Sequence, residues 1–163
     1  MGKLLDLTGP GDLPELRDPF LVVHLHGWTD AGMAAQTAAV FLRSRWNATT
    51  LGTFDADELI DFRARRPVVR LASGTIEEVT WSPTELLAAT LGGERDALLL
   101  VGPEPDFRWR AFCDEVVEAC QRLEVAEVFG LARSRPRRCT PTRWRWSAPR
   151  PTPTWRTGWR RCR

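Results

Sequence analysis

No stretch of the sequence approaches the roughly twenty consecutive apolar residues that a membrane-spanning helix requires, so no membrane span is expected. The opening Met-Gly-Lys-Leu-Leu-Asp-Leu has neither a long apolar run nor an Ala-x-Ala-like site, and a secretory leader is not expected either. Four cysteines at irregular spacing make neither a disulfide framework nor a zinc site. These absences point to a cytoplasmic protein. Phosphate loops of the Gly-x-x-x-x-Gly-Lys type, Gly-x-Gly-x-x-Gly turns and Gly-x-Ser-x-Gly elbows are all missing. Nothing pairs a nucleophile with an evident base, and no cofactor or metal is expected. Acidic side chains are also missing after Glu127.

That last absence divides the chain. Residues 1–132 hold 12 Lys and Arg against 21 acids, a net charge of −9, whereas residues 133–163 hold 11 Arg and no acid. The overall +2 describes neither part. With 163 residues, one domain is the natural expectation. Residues 1–19 read as an irregular lead-in, 20–131 as an α/β domain, and 132–163 as an Arg/Pro/Trp-rich tail.

Phe20 to His26 is near-continuously apolar, as a strand covered on both faces of a parallel sheet would be. His24 and His26 share one face of it. They suit a metal or acid/base pair, or simply two strand-end histidines with hydrogen-bond partners. The strand stops at Gly27, and Trp28-Thr29-Asp30-Ala31-Gly32 opens a helix expected over Ala31 to Arg45. Ala34, Ala35, Ala38, Ala39 and Leu42 recur at helical spacing, with Val40 and Phe41 broadening the face. Asp30 fits an N-cap, or a carboxylate that faces a ligand.

Thr49 to Phe54 reads as a second strand. Asp55, Asp57, Glu58 and Asp61 follow, then Arg63, Arg65 and Arg66, which reads as a charge-paired loop or short helix. The acid spacing matches no calcium loop. Pro67 to Leu71 and Thr75 to Trp81 predict a hairpin around Ala72-Ser73-Gly74. Glu85 to Thr90 fits a strand or a helical turn. Asp96 to Val101 is a buried strand ending in Gly102-Pro103-Glu104-Pro105, and a helix is expected from Pro105 or Asp106 to about Leu123. Its apolar stripe is Phe112, Val116, Val117, Cys120 and Leu123, with Cys113 and Cys120 read as small buried hydrophobes. Ala126 to Leu131 is the next strand. Alternating strands and helices imply a three-layer α/β domain with a mostly parallel sheet.

Three segments, in order, resemble the proteasome assembly chaperone family of the second type, in its actinobacterial branch. They are Leu-His-Gly-Trp-Thr-Asp-Ala-Gly at 25–32, Asp-Phe-Arg-Ala-Arg-Arg-Pro at 61–67 and Gly-Pro-Glu-Pro-Asp-Phe-Arg-Trp-Arg-Ala-Phe at 102–112. The resemblance spans about residues 18–131. It implies a three-layer α/β fold, self-association, and a role in assembling or engaging the proteasome core particle. His26 stands where the family pattern has an acid, which weakens a catalytic reading of this turn. Family members also carry the label of an ATP-dependent carboxylate–amine ligase, a chemistry needing a nucleotide loop and metal-binding carboxylates. Family chaperones that dock on core rings use a C-terminal hydrophobic-Tyr-x signal, and this sequence contains no tyrosine.

The two glycine turns end two predicted strands. If those strands are neighbours, Gly27, Trp28, Asp30 and Gly32 form one surface with Gly102, Glu104, Phe107, Arg108, Trp109 and Arg110. Aromatics and arginines dominate binding hot spots. Arg108 and Arg110 could pair with Asp30 or Glu104, or receive a carboxylate. Alternatively, Trp28 and Trp109 brace the turns. A non-enzymatic interaction protein with proteasome core subunits as partners is the leading expectation, ahead of the ligase.

The tail allows a third function, nucleic-acid binding by Arg and Trp, but its composition also fits disorder or a shifted reading frame. Arg143-Trp144-Arg145-Trp146 written CGG-TGG-CGG-TGG and read from each third base gives Val-Ala-Val. The same shift turns the tail into a strand, turn and amphipathic helix resembling the family's continuation. A frameshifted, truncated member is therefore expected, with part of its sheet missing.

Overall fold

The computed structural model describes residues 3–7, 14–27 and 33–131, together with the backbone of 143–145. Along the chain these residues form β1 (Leu5–Leu7), β2 (Phe20–His26), α1 (Ala34–Arg45), β3 (Thr49–Phe54), α2 (Ala56–Leu59) and β4 (Val68–Ala72). They continue with β5 (Thr75–Thr80), β6 (Glu85–Ala89), β7 (Ala97–Pro103), α3 (Trp109–Arg122), β8 (Glu127–Gly130) and β9 (Arg143–Arg145).

Seven strands make one mixed sheet in the order β1-β3-β6-β7-β2-β8-β9, and β4 and β5 form a separate hairpin. Only the centre, β7-β2-β8, is parallel. The pairings β6·β7, β3·β6, β1·β3 and β8·β9 are antiparallel, so the parallel part is narrower than a mostly parallel sheet. The reason lies in the connections. β6 and β7 are joined by a short loop rather than a helical crossover, and a short loop returns the chain antiparallel.

Alternation along the central strands builds the two cores. Leu21, Leu86, Leu98 and Leu100 point to one face, where they meet Phe54 and, from α3, Phe112, Ala119 and Leu123. Val22, Leu87 and Leu99 point to the other, against Leu42 and Trp46. The result is helix α1, the sheet and helix α3 in three layers. Within the α3-side core, Leu5, Phe54, Val116 and Cys120 help line an apolar cavity of about 10 Å³.

Tertiary contacts decide several local questions. The lead-in is not wholly irregular, because β1 adds to the β3 edge with Leu4 and Leu5 buried. The amides of Leu4 and Leu5 donate to the Glu115 carboxylate on α3, at 2.7 and 2.6 Å. Glu85–Ala89 is a strand. β7 runs through Gly102 to Pro103, and α3 starts at Trp109, later than the expected Pro105 or Asp106. Only Ala35 and Ala39 of α1 are buried, so the helix sits close on the sheet. Val40 and Phe41 project outward, 62% and 63% exposed. Cys120 is half-buried, and burial pushes its thiol up to about 11. Cys113 is exposed because Phe112 and Val116 take the core positions of that turn.

Candidate functional site

β2 and β7 lie side by side and parallel, with Leu25 opposite Gly102 and His26 opposite Pro103. After β2 the chain passes through α1 to β3 on one flank of the sheet. After β7 it passes through α3, on the opposite face, to β8 on the other flank. Connections that leave neighbouring strands in opposite directions open a crevice at the strands' carboxyl ends, the usual ligand position in open α/β sheets.

The second turn closes on the first. The Glu104 amide donates to the His26 carbonyl at 3.1 Å. The Glu104 side chain lies where a β-carbon on Gly27 would have to go. Gly102, at φ 151°, runs so close to Pro83 and Thr84 that a β-carbon would overlap the Thr84 backbone. The buried Thr84 hydroxyl donates to the Pro103 carbonyl at 3.0 Å and fixes the same crossing.

The segment 58–65 ties the second turn down. Arg65 donates to the Glu104 carbonyl at 2.7 Å and pairs with the Asp106 carboxylate at 3.1 Å. The other Asp106 oxygen accepts from the Asp61 amide at 2.9 Å. The amides of Asp106 and Phe107 both donate to the Leu59 carbonyl, at 2.8 and 3.1 Å. Arg108 forms an ion pair with Glu58. The acids after β3 thus serve as a cap and as partners for cations. Asp55 caps α2 by accepting from the Asp57 amide, and Asp61 binds Arg63.

Arg108 therefore pairs with Glu58 and not with Glu104. Held at φ 52°, it occupies the N-cap position of α3 without a side-chain cap. Phe107 and Trp109 flank it, 47% and 44% exposed, and Trp109 packs edge-on against buried Phe112 at 6.1 Å. Arg110 is exposed in the first turn of the helix. Trp28, Asp30 and Gly32 lie outside the described residues, and so does any pairing of Asp30 or bracing by Trp28. The N-cap position of α1 is Met33, three residues beyond Asp30. The expected helix start at Ala31 moves to Ala34.

His24 is buried, its Nδ1 3.3 Å from the Leu131 carbonyl, and its ring centre is 6.4 Å from that of His26. Burial holds His26 below its ordinary pKa, and nearby His24 and Arg65 push the same way, with Glu104 opposing them.

The three segments that carried the resemblance thus meet in space: 25–27 against Glu104, and 58–65 against 104–108. A family model matches residues 24–152, well over half of the chain. The chain belongs to the PAC2 family. The match runs past Leu131, where the motif resemblance ends. Among solved structures, a proteasome-assembly chaperone homologue from Mycobacterium tuberculosis is 34% identical (TM-score 0.63, 67% of this chain and 47% of that one). A PAC2 family protein from Streptomyces avermitilis is 36% identical (TM-score 0.60, 69% and 48%). A protein of unknown function from Corynebacterium glutamicum is 30% identical (TM-score 0.72, 79% and 49%). No curated protein matches the chain. The chain spans about half the length of these solved structures.

Sequence reasoning brought the two turns together but missed their fastening by Arg65, Asp106, Glu58 and Thr84. The run of acids followed by arginines over 55–66 was the available signal. It was read as pairing within the loop, which holds for Asp61 and Arg63 alone.

Proposed function

We propose that this PAC2 protein is a non-enzymatic, cytoplasmic interaction protein of the proteasome-assembly-chaperone type, which self-associates and engages proteasome core subunits. Its contact surface is the paired turn: Gly27, Glu104, Phe107, Arg108, Trp109 and Arg110, with Trp28, Asp30 and Gly32 from the neighbouring segment. One observation carries the reading. Phe107 and Trp109 stand half-exposed on a backbone fastened by Arg65, Asp106, Leu59 and Glu58. Aromatic and arginine side chains held on a preorganised backbone lose little freedom on binding, which is what a protein hot spot requires. The M. tuberculosis relative named as a proteasome-assembly chaperone homologue supports the choice of partner class.

The test is capture of purified actinobacterial 20S core subunits by the immobilised chain, with Phe107→Ala/Trp109→Ala alongside. Saturable binding weakened about tenfold or more by the double substitution is expected. No binding, or binding that the substitution leaves unchanged, overturns the proposal. Heat of binding with ATP and magnesium would favour the ligase chemistry instead.

Residues 132–163 are not assigned to this surface; the composition change at Arg133 supports a shifted frame, and the family match through residue 152 supports the frame as it stands. Resequencing the codons for Leu131 to Arg138 decides between them, and an intact frame matching the chain overturns the shift.

A further inference from the structure

The hairpin β4–β5 is the least satisfied element of the described fold. Among the described residues it pairs with no other strand, and all eleven of its residues are exposed. A lone two-stranded ribbon is marginal in water unless something covers its apolar side. This ribbon has such a side. Val69 faces Val79 and Leu71 faces Ile76 across the strands, so the four share one face. They are 46%, 45%, 64% and 61% exposed. Arg70 and Glu78 pair at 3.2 Å on the opposite face, where they neutralise each other. Ser73 and Gly74, both at positive φ, close the tip. Trp81 anchors the base, packing edge-on at 4.5 Å against Phe62, which itself reaches the main core.

We infer that the apolar face of this hairpin docks on the same face of a second copy of the chain. This rests on the self-association in the proposed function and names its surface. Three features select a second copy. The four facing side chains carry no charge, and Glu77, the extra residue of the bulge between Ile76 and Glu78, is exposed, so a self-stack that leaves it at the solvent edge strands no ion. Its two rows differ in size, two valines at the base and Leu71 with Ile76 at the tip. A two-fold axis that lies in the interface and runs across the strands sets each large row against the other copy's small row, the alternation that lets facing layers interdigitate. With these exposures, and Trp81 at 46%, the face offers on the order of 500 Å² per copy, so a pair reaches about the 1,000 Å² of a specific interface. Stacked, the two ribbons form a four-stranded sandwich in which each covers the other.

The test is sedimentation equilibrium of the full chain under reducing conditions, which silence the exposed Cys113. Concentration-dependent dimerisation is expected. Leu71→Thr/Ile76→Thr, polar but strand-forming, should weaken it by about tenfold or more. Val68→Thr, on the opposite face, should leave it unchanged, and all variants should keep the wild-type circular dichroism. A monomer at every concentration overturns the inference, as does a dimer indifferent to the double substitution. Salt provides a separate check. An apolar stack between bodies of charge −9 should hold or tighten as salt rises. Dissociation by salt would instead assign the contact to the Arg-rich tail on another copy's acidic body. Phe107→Ala/Trp109→Ala should leave the dimer intact, so failure of core-subunit binding and failure of dimerisation are read separately.

Discussion

Glu104 donates its amide to the His26 carbonyl and lays its carboxyl group over the bare Cα of Gly27. The two signature glycines therefore do different work. At Gly27 a methyl group meets the carboxyl end of the Glu104 side chain and no backbone atom. At Gly102 it meets the Thr84 backbone, at a φ that side chains rarely adopt. Gly27→Ala should cost less than about 1 kcal/mol, and Gly102→Ala about 2–4 kcal/mol. Urea unfolding of the two variants checks the ranking, and equal losses would refute this division of roles.

Arg65 is the cation that ties Glu104 and Asp106 together, one guanidinium nitrogen to each. A lysine keeps the charge but cannot span both acceptors with a rigid fork. Arg65→Lys should behave nearly as badly as Arg65→Ala, each losing about 1–2 kcal/mol. Hydrogen exchange should speed up at the amides of Asp106 and Phe107, which bond to Leu59. Unchanged exchange there would mean that the turn holds itself.

The central strands were legible because their signal is local. The apolar runs at 20–26 and 97–101 need burial on both faces, and the structure gives it. β1 was not legible, since three residues, Leu5-Asp6-Leu7, carry no period of their own. They become a strand only because β3 offers an edge and Glu115 accepts the preceding amides. The exposed side of α1 was misjudged for the opposite reason. Val40 and Phe41 have a core composition, but the alanines already fill the seam against the sheet. At the site, residue types were readable and partners were not. Nothing local says that Arg108 will choose Glu58, fifty residues earlier, over Glu104 four residues away.

Asp96 is buried at the head of β7, where its carboxylate accepts from the Arg17 amide at 2.9 Å, from the Arg17 guanidinium at 3.2 Å and from the Leu91 amide at 3.0 Å. The bonds from Arg17 hold its carboxyl below the usual carboxylate range. The folded state thus binds this proton less tightly than the unfolded state. The stabilisation is present above about pH 3.9 and is lost as pH falls below it. Asp96→Asn turns one acceptor into a donor facing donors, at a cost of about 2–3 kcal/mol near neutral pH. Acid titrations of stability should then show the gap between wild type and variant narrowing as pH falls below about 3.9. A constant gap would assign the loss to shape instead.

His26 adds a second pH dependence at higher pH. Burial is the main cause of its lowered pKa, and His24 and Arg65 add to it. The unfolded state therefore takes up the proton first, at about 6.5. Stability is full above that pH and declines as pH falls through the lower value of the folded state. Wild type should lose stability between pH 7.5 and 5.5, and His26→Gln should lose less over the same interval. Glu104 acts in the opposite direction, favouring the imidazolium. Glu104→Gln should lower the His26 pKa further and steepen the decline. With only two histidines in the chain, an NMR titration follows each ring directly. A His26 signal that titrates at or above 6.5 would show that Glu104 outweighs burial, and the turn cluster would then carry a positive charge at mildly acid pH.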